Sequence, residues 1–148
     1  MPIHTATHSD LQAWVALRAQ LWDDTSLEQH RNEALALLAK APGESIALLG
    51  ISDQSDVRAF AEATLRHDHV NGCETSPVAF LEGIFVCEED RGTGMGHMLL
   101  TSIQSWAKER GCSEIASDAH LDNLASHAFH TALGFQETER VVYFRKLL

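Results

Sequence analysis

Residues 91–96 read Arg-Gly-Thr-Gly-Met-Gly. Glycines let a main chain come close to an anion. When a helix follows, its first amides and the positive end of its dipole aim at the same point. That combination suits a pyrophosphate. No Lys-Ser or Lys-Thr follows the last glycine, so the stretch is not a P-loop. It also lies midway along the chain, not after a first strand, so it fits a dinucleotide fingerprint poorly. Just upstream, Glu82 stands alone in the apolar run Val78 to Val86. A lone carboxylate there suits a cationic reactant, not an anionic one. Two neighbouring features of such different chemistry imply two reactants meeting between them. A plain tight turn is the bland alternative for the glycines.

These groups need elements to position them. Val78 to Val86 reads as a buried strand. Met95 to Arg110 reads as a helix, with Met98, Leu99, Ile103 and Trp106 on helical spacing and Gly111 as its C-cap. Upstream, Ile3 to Thr7 alternates weakly as a first strand, and Ser9 to Gln12 resembles a capping box before a helix through Leu11, Trp14, Val15, Leu17, Arg18, Leu21 and Trp22. Ser26 starts a second helix that ends at Ala41-Pro42-Gly43. Ser45 to Ile51 and Val57 to Leu65 read as an antiparallel pair around the turn Asp53 to Asp56. Residues 66–73 are polar and loop-like. Ile115 starts a short strand, Leu124 to Leu133 a helix, and Val141 to Phe144 a final strand containing Tyr143. This mixture predicts an α/β (α+β) architecture, a sheet covered by helices.

The 148 residues are expected to form one domain, 1–148, able to bury a core without disulfides or metal. Acids outnumber bases 21 to 11, a formal net charge of −10, which argues against nucleic acid and suits a cationic partner. No apolar run is long enough for a membrane span, and no secretory signal is visible, so a cytoplasmic protein is expected. Three cysteines without CxxC spacing fit reduced thiols. His67-x-His69 and His127-x-x-His130 have ligand spacing, but no cysteine or carboxylate completes a site, so no metal is expected.

Arg91-x-x-Gly94-x-Gly96 after an apolar strand resembles the acyl-CoA signature of the GNAT acetyltransferase superfamily. Asn123, Ala128-Phe129 and Leu133-Gly134-Phe135 resemble its later signature. Flanking words are similar to the aminoglycoside 6′-N-acetyltransferases: residues 20–22, 66–73, 80–86, 116–118 and 137–141. The resemblance implies a GNAT fold, with a mixed, mostly antiparallel twisted sheet flanked by helices. It also implies acetyl-CoA as co-substrate, an aminoglycoside as substrate, and a homodimer.

Residue by residue, the resemblance implies that main-chain groups of Ile84, Phe85 and Val86 pair with the pantetheine arm. Arg91, Gly92, Thr93, Gly94, Met95, Gly96 and the His97 amide would cradle the pyrophosphate, and Asn123 would contact the cofactor or cap its helix. The substrate positions are Trp22, His69, Glu82, Asp118 and Glu139. An aminoglycoside carries several ammonium groups, and a charge-assisted hydrogen bond is worth about 1.5–3 kcal/mol, so clustered carboxylates supply useful affinity. Trp22 offers a flat face or a core side chain, Asp118 a ligand or a turn, and Glu139 a ligand or a solvated face. His69 departs from the tyrosine common there. Asp23 and Asp24 read as solvated, or as an extension of the anionic rim.

The implied mechanism is direct attack in a ternary complex, with Glu82 as candidate base and a backbone amide near Val86 for the oxyanion. His130 stands where many relatives carry a tyrosine, and it is the candidate proton donor or a packed helix residue. Two rivals stay open. One is acetylation of another cationic amine, such as a polyamine or protein N-terminus. The other is a non-catalytic acyl-CoA-binding module, which would need only the glycine loop.

Overall fold

The computed structural model describes residues 2–148. Strand β1 (Ile3–Thr5) leads through a 3-10 turn into helices α1 (Leu11–Leu21) and α2 (Leu27–Ala39). Strands β2 (Ser45–Ile51), β3 (Val57–Arg66) and β4 (Val78–Val86) come next, then α3 (Met95–Glu109), β5 (Ile115–Ala116) and α4 (Leu124–Ala132). The five strands form one sheet in sequence order, antiparallel from β1 to β4 and parallel between β4 and β5.

Strand periodicity sorts the side chains. On one face Ala59, Ala61, Ala63, Leu81 and Ile84 meet Leu99, Leu100, Ile103 and Trp106 of α3. On the other, Leu49 and Phe60 meet Leu11, Trp14, Val15 and Leu17 of α1 and Ala34 of α2. Each large apolar side chain buried this way contributes about 1.5–3 kcal/mol. Alanines recur on β3 because helix α3 crosses close above them.

Two irregularities interrupt the sheet along β4. Glu62 pairs with Gly83 while Ala63 pairs with Leu81, so Glu82 is the extra residue of a bulge. A bulge re-aims its side chain and bends its strand. Strand β5 pairs with β4 only at Ala79–Ile115 and Phe80–Ala116, so the two part beyond that point and leave a gap along the rest of β4.

The predicted helix starts and strands hold with two corrections. The first start signal lies a turn earlier than Ser9: Thr7 N–H donates to the Asp10 carboxylate at 2.8 Å. Ser26 does cap α2, its hydroxyl accepting from Gln29 N–H at 3.1 Å. Gly111, at φ +82°, closes α3 with its amide on Lys108 O. The predicted strand Val141 to Phe144 is not formed, and Tyr143 is not packed in one. No helix or strand follows α4, and Val142, Tyr143 and Phe144 are 76%, 86% and 92% exposed. β-Branched and aromatic residues record strand propensity, but a strand exists only against a partner, and this tail has none within the chain.

Candidate functional site

Glu82 points from the bulge into a cleft of about 410 Å³ between the sheet and the α1–α2 pair, lined also by Trp22, Asp24, Glu33, Glu62 and Thr64. Its carboxylate accepts from the Thr64 hydroxyl and from Arg66 NH2, each at 2.7 Å. The Arg66 guanidinium lies over the Phe80 ring, 4.1 Å from its centroid. Glu82 is thus oriented and partly exposed, held by buried Thr64 on one side and exposed Arg66 on the other.

Trp22 follows the last turn of α1. It stacks on His30 with centroids 6.2 Å apart and lies 6.1 Å from Phe60. Its indole also presses on Gly83, where an added Cβ would sit 2.5 Å from the ring. One side of Trp22 is packed, and the residue also lines the cleft. Gly83→Ala is expected to overpack this contact and cost about 1–3 kcal/mol, read as a fall in Tm.

Beneath Trp22 lies a buried ionic network. Arg18 NH1 donates to both oxygens of Glu62, and NH2 donates to Glu33. Trp14 Nε1–H adds a bond to Glu62 at 2.8 Å, and the Arg18 guanidinium sits 4.8 Å from the Trp22 ring centroid. Burial pushes the Glu62 carboxyl up, and Arg18 and the indole N–H oppose that. His30, fully buried, bonds through Nε2 to Trp22 O at 2.9 Å. Sequence reading missed Arg18, Glu33 and Glu62 as site residues, while Asp24, weighed as a possible anionic rim, does line the cleft. For Glu62 a signal existed, since it is an acid in an apolar strand as Glu82 is. For Glu33 none did, because only the fold brings this exposed side chain to the cleft.

At the far end of β4 the chain enters the glycine loop. Gly92 and Gly94 adopt φ +77° and +88°, backbone that a side chain would strain. Arg91 Nε–H donates to Val86 O at 3.0 Å, and the Thr93 hydroxyl donates to Asp90 O at 2.5 Å, so the loop is braced. Among the described residues, no acceptor takes the amides of residues 92–97, while Met98 N–H already bonds Gly94 O. Free amides at a helix start are the donors that an anion can meet. The Met95 side chain is buried in the core, so only its amide can serve. His97 is exposed. Gly96 admits the Phe129 ring, 3.2 Å from where a Cβ would lie, which seats α4 beside the loop.

Asn123 caps α4, its side chain accepting from Ser126 N–H at 3.1 Å. His130, on the same helix, bonds through Nδ1 to Ser126 O at 2.7 Å and through Nε2 to the Ser117 hydroxyl at 2.8 Å. Ser117 also lies 3.2 Å from Leu81 O, where β4 and β5 part. Exposed Asp118 is the next residue. Main-chain groups of Ile84, Phe85 and Val86 lie beyond the last β4–β5 pair.

His69 sits exposed on the loop between β3 and β4. Glu114 holds that loop by accepting from Glu74 N–H at 2.9 Å, from Thr75 N–H at 2.7 Å and from the Thr75 hydroxyl. The hydroxyl above all keeps the Glu114 carboxyl below the usual range. Thr138 of the tail packs on Gly72, where a Cβ would meet its oxygen at 2.3 Å, so exposed Glu139 stands beside the same loop. Glu82 and Trp22 thus share one cleft. Asp118 lies past the strand next to β4, and His69 and Glu139 lie on segments that touch each other.

Burial pushes the thiols of Cys73, Cys87 and Cys112 up, so none is a poised thiolate. Among the described residues, no three His, Cys, Asp or Glu side chains converge as metal ligands.

The acetyltransferase (GNAT) family model matches residues 6–135. The chain is 51% identical to an aminoglycoside N(6')-acetyltransferase type 1 from Serratia marcescens over 141 residues, 95% of each chain. It superposes on the apo crystal structure of the aminoglycoside antibiotic 6'-N-acetyltransferase from Acinetobacter haemolyticus with TM-score 0.95 at 47% identity, covering 100% of this chain and 99% of that one. A second similar structure is AAC(6')-Iy in complex with the bisubstrate analogue CoA-S-monomethyl-acetylneamine, at TM-score 0.90 and 38% identity, covering 99% and 98%.

Proposed function

We propose that this chain, which belongs to the acetyltransferase (GNAT) family, transfers the acetyl group of acetyl-CoA to the 6'-amino group of an aminoglycoside antibiotic and so confers resistance to it. One observation carries the reading: β4 joins an anion cradle to an acid-lined cleft. Its last residue leads into the six free amides, and its bulge aims Glu82 at Trp22, Asp24 and Glu33. A pyrophosphate fits the amides of residues 92–97, and an oligo-cation fits the acids. The reading treats residues 1–148 as one acetyltransferase domain.

Acetyl-CoA supplies an activated acyl group on a thioester. Ile84, Phe85 and Val86 have no partner in β5 and would hold the pantetheine arm through main-chain groups on that side, with an amide near Val86 for the developing oxyanion. Arg91 braces the cradle from Gly92 to His97 onto β4, and Asn123 fixes the start of α4 at its side. Trp22, His69, Asp118 and Glu139 bind and orient the aminosugar. Glu82 takes the proton from its amine, and His130 is the proton source for the departing thiolate. No cysteine is poised to carry the acetyl group, so the amine attacks the thioester directly in a ternary complex.

Purified protein given acetyl-CoA and kanamycin or tobramycin should release free thiol at a rate set by both substrates. Turnover with spermidine but with no 6'-amino aminoglycoside would replace the reading with polyamine acetylation. Coenzyme A binding without any turnover would reduce it to a non-catalytic module.

The same reading makes the protein a cytoplasmic homodimer. Acetyl-CoA is a charged intracellular nucleotide, and among the described residues no helix is long and apolar enough to cross a membrane. Val141, Val142, Tyr143 and Phe144 stand out from the fold together, an apolar segment that a second copy would cover. Deleting residues 141–148 should shift the molar mass in solution from dimer to monomer by light scattering. An unchanged dimer would place the interface elsewhere.

A further inference from the structure

Both ring nitrogens of His130 are engaged. Nδ1 faces Ser126 O at 2.7 Å, and Nε2 faces the Ser117 oxygen at 2.8 Å. The Ser117 oxygen also lies 3.2 Å from Leu81 O, on the strand residue just before Glu82. Beyond this contact β4 and β5 no longer pair. A proton leaving the His130 ring toward that gap therefore has one exit, the Ser117 hydroxyl.

The chain of partners is complete in two states. With His130 protonated on both nitrogens, Nδ1–H donates to Ser126 O, Nε2–H donates to Ser117 Oγ, and the Ser117 hydroxyl donates to Leu81 O. With Nε2 bare, the hydroxyl turns and donates to Nε2 instead. Each donor has an acceptor in either state, so moving one proton requires only a rotation about the Ser117 side chain. Phe135 meets the His130 ring edge-on at 5.2 Å and holds its plane.

We propose that Ser117 is a catalytic residue, the hydroxyl that hands the proton to the departing thiolate and is reprotonated by His130. The inference rests on the proposed acetyl transfer. As the carbon–sulfur bond breaks, its electron pair goes to sulfur. Sulfur takes the proton of Ser117 Oγ, and Oγ takes the proton of His130 Nε2. The ring is left neutral with its remaining proton on Nδ1, bonded to Ser126 O. The proton lost by the attacking amine passes to Glu82 and then to water, and water recharges His130. One proton enters the thiol and one leaves the amine, so the transfer balances.

The test compares acetyl-CoA with its selenoester analogue, acetyl-seleno-CoA, with kanamycin as acceptor. Selenolate is the weaker base and departs without protonation. Ser117→Ala should lower kcat with the thioester by about 10²-fold, within the usual contribution of a positioned proton donor, and leave the KM values and coenzyme A affinity nearly unchanged. With the selenoester most of that loss should vanish. Ser117→Thr, which keeps the hydroxyl, should retain activity with both donors. An unchanged kcat in Ser117→Ala overturns the relay. An equal loss with both donors also overturns it, because a merely structural defect ignores the leaving group. Should Ser117→Ala fail to fold, His130→Gln is read by the same comparison, since its amide fills the space but delivers no proton. Wild-type protein inactive on every 6'-amino aminoglycoside would instead overturn the parent function, and the wild-type control separates the two failures.

Discussion

Glu82→Ala is expected to lower kcat/KM for a 6'-amino aminoglycoside by about 10²–10³-fold, with coenzyme A affinity nearly unchanged. Two effects act together. The cleft loses the carboxylate that would take the amine proton. It also exposes the cation that carboxylate balanced, since Arg66 NH2 now bonds Glu82 at 2.7 Å. Without its partner, the Arg66 guanidinium faces an incoming ammonium. Glu82→Gln separates the two roles, because it can still accept from Thr64 but carries no charge and accepts no proton. Thiol release against aminoglycoside concentration, with calorimetric titration of coenzyme A, measures both sides. Coenzyme A affinity falling as far as kcat/KM would show that cleft and cradle are not independent.

Arg18→Met is expected to cost about 3–5 kcal/mol of stability, because it strands the Glu62 carboxylate in the core without its cation. For a chain of this length that corresponds to a Tm lower by roughly 6–20 °C, read by calorimetry. Glu62 is almost fully buried and pairs with a guanidinium whose side chain is 4% exposed. The Glu33 arm differs, since that side chain is 45% exposed, and solvent-screened pairs contribute at most about 1 kcal/mol. Glu33→Ala should therefore be mild where Arg18→Met is severe. Removing both charges, as Arg18→Met with Glu62→Leu, should recover much of the loss. A double variant as unstable as the sum of the singles would mean that shape, not charge, sets the cost. Since Arg18 also lies under the Trp22 ring, the single variant should raise the aminoglycoside KM too.

Much of this was legible in the order of residues. Short, mostly apolar runs marked β2 and β4, and the extended pattern of Val57 to Leu65 marked β3, within a residue of their ends, because strand burial favours apolar side chains. Ser26 and Gly111 announced their helix ends because capping is a local matter of one side chain or one φ angle. The turn at Gly92 and Gly94 was readable from its glycines for the same reason.

What tertiary structure alone decided involves partners distant in sequence. That Glu82 sits in a bulge depends on the register against Glu62, twenty residues away, and no local pattern specifies a register. Arg18 and Glu62, 44 residues apart, were each readable as a surface charge until the sheet and α1 closed over them. The tail shows the same limit from the other side. Val141 to Phe144 has the composition of a strand, yet pairing needs an edge, and the chain leaves these residues in the open. Local chemistry is written along the backbone, whereas register, burial and pairing are properties of two segments at once.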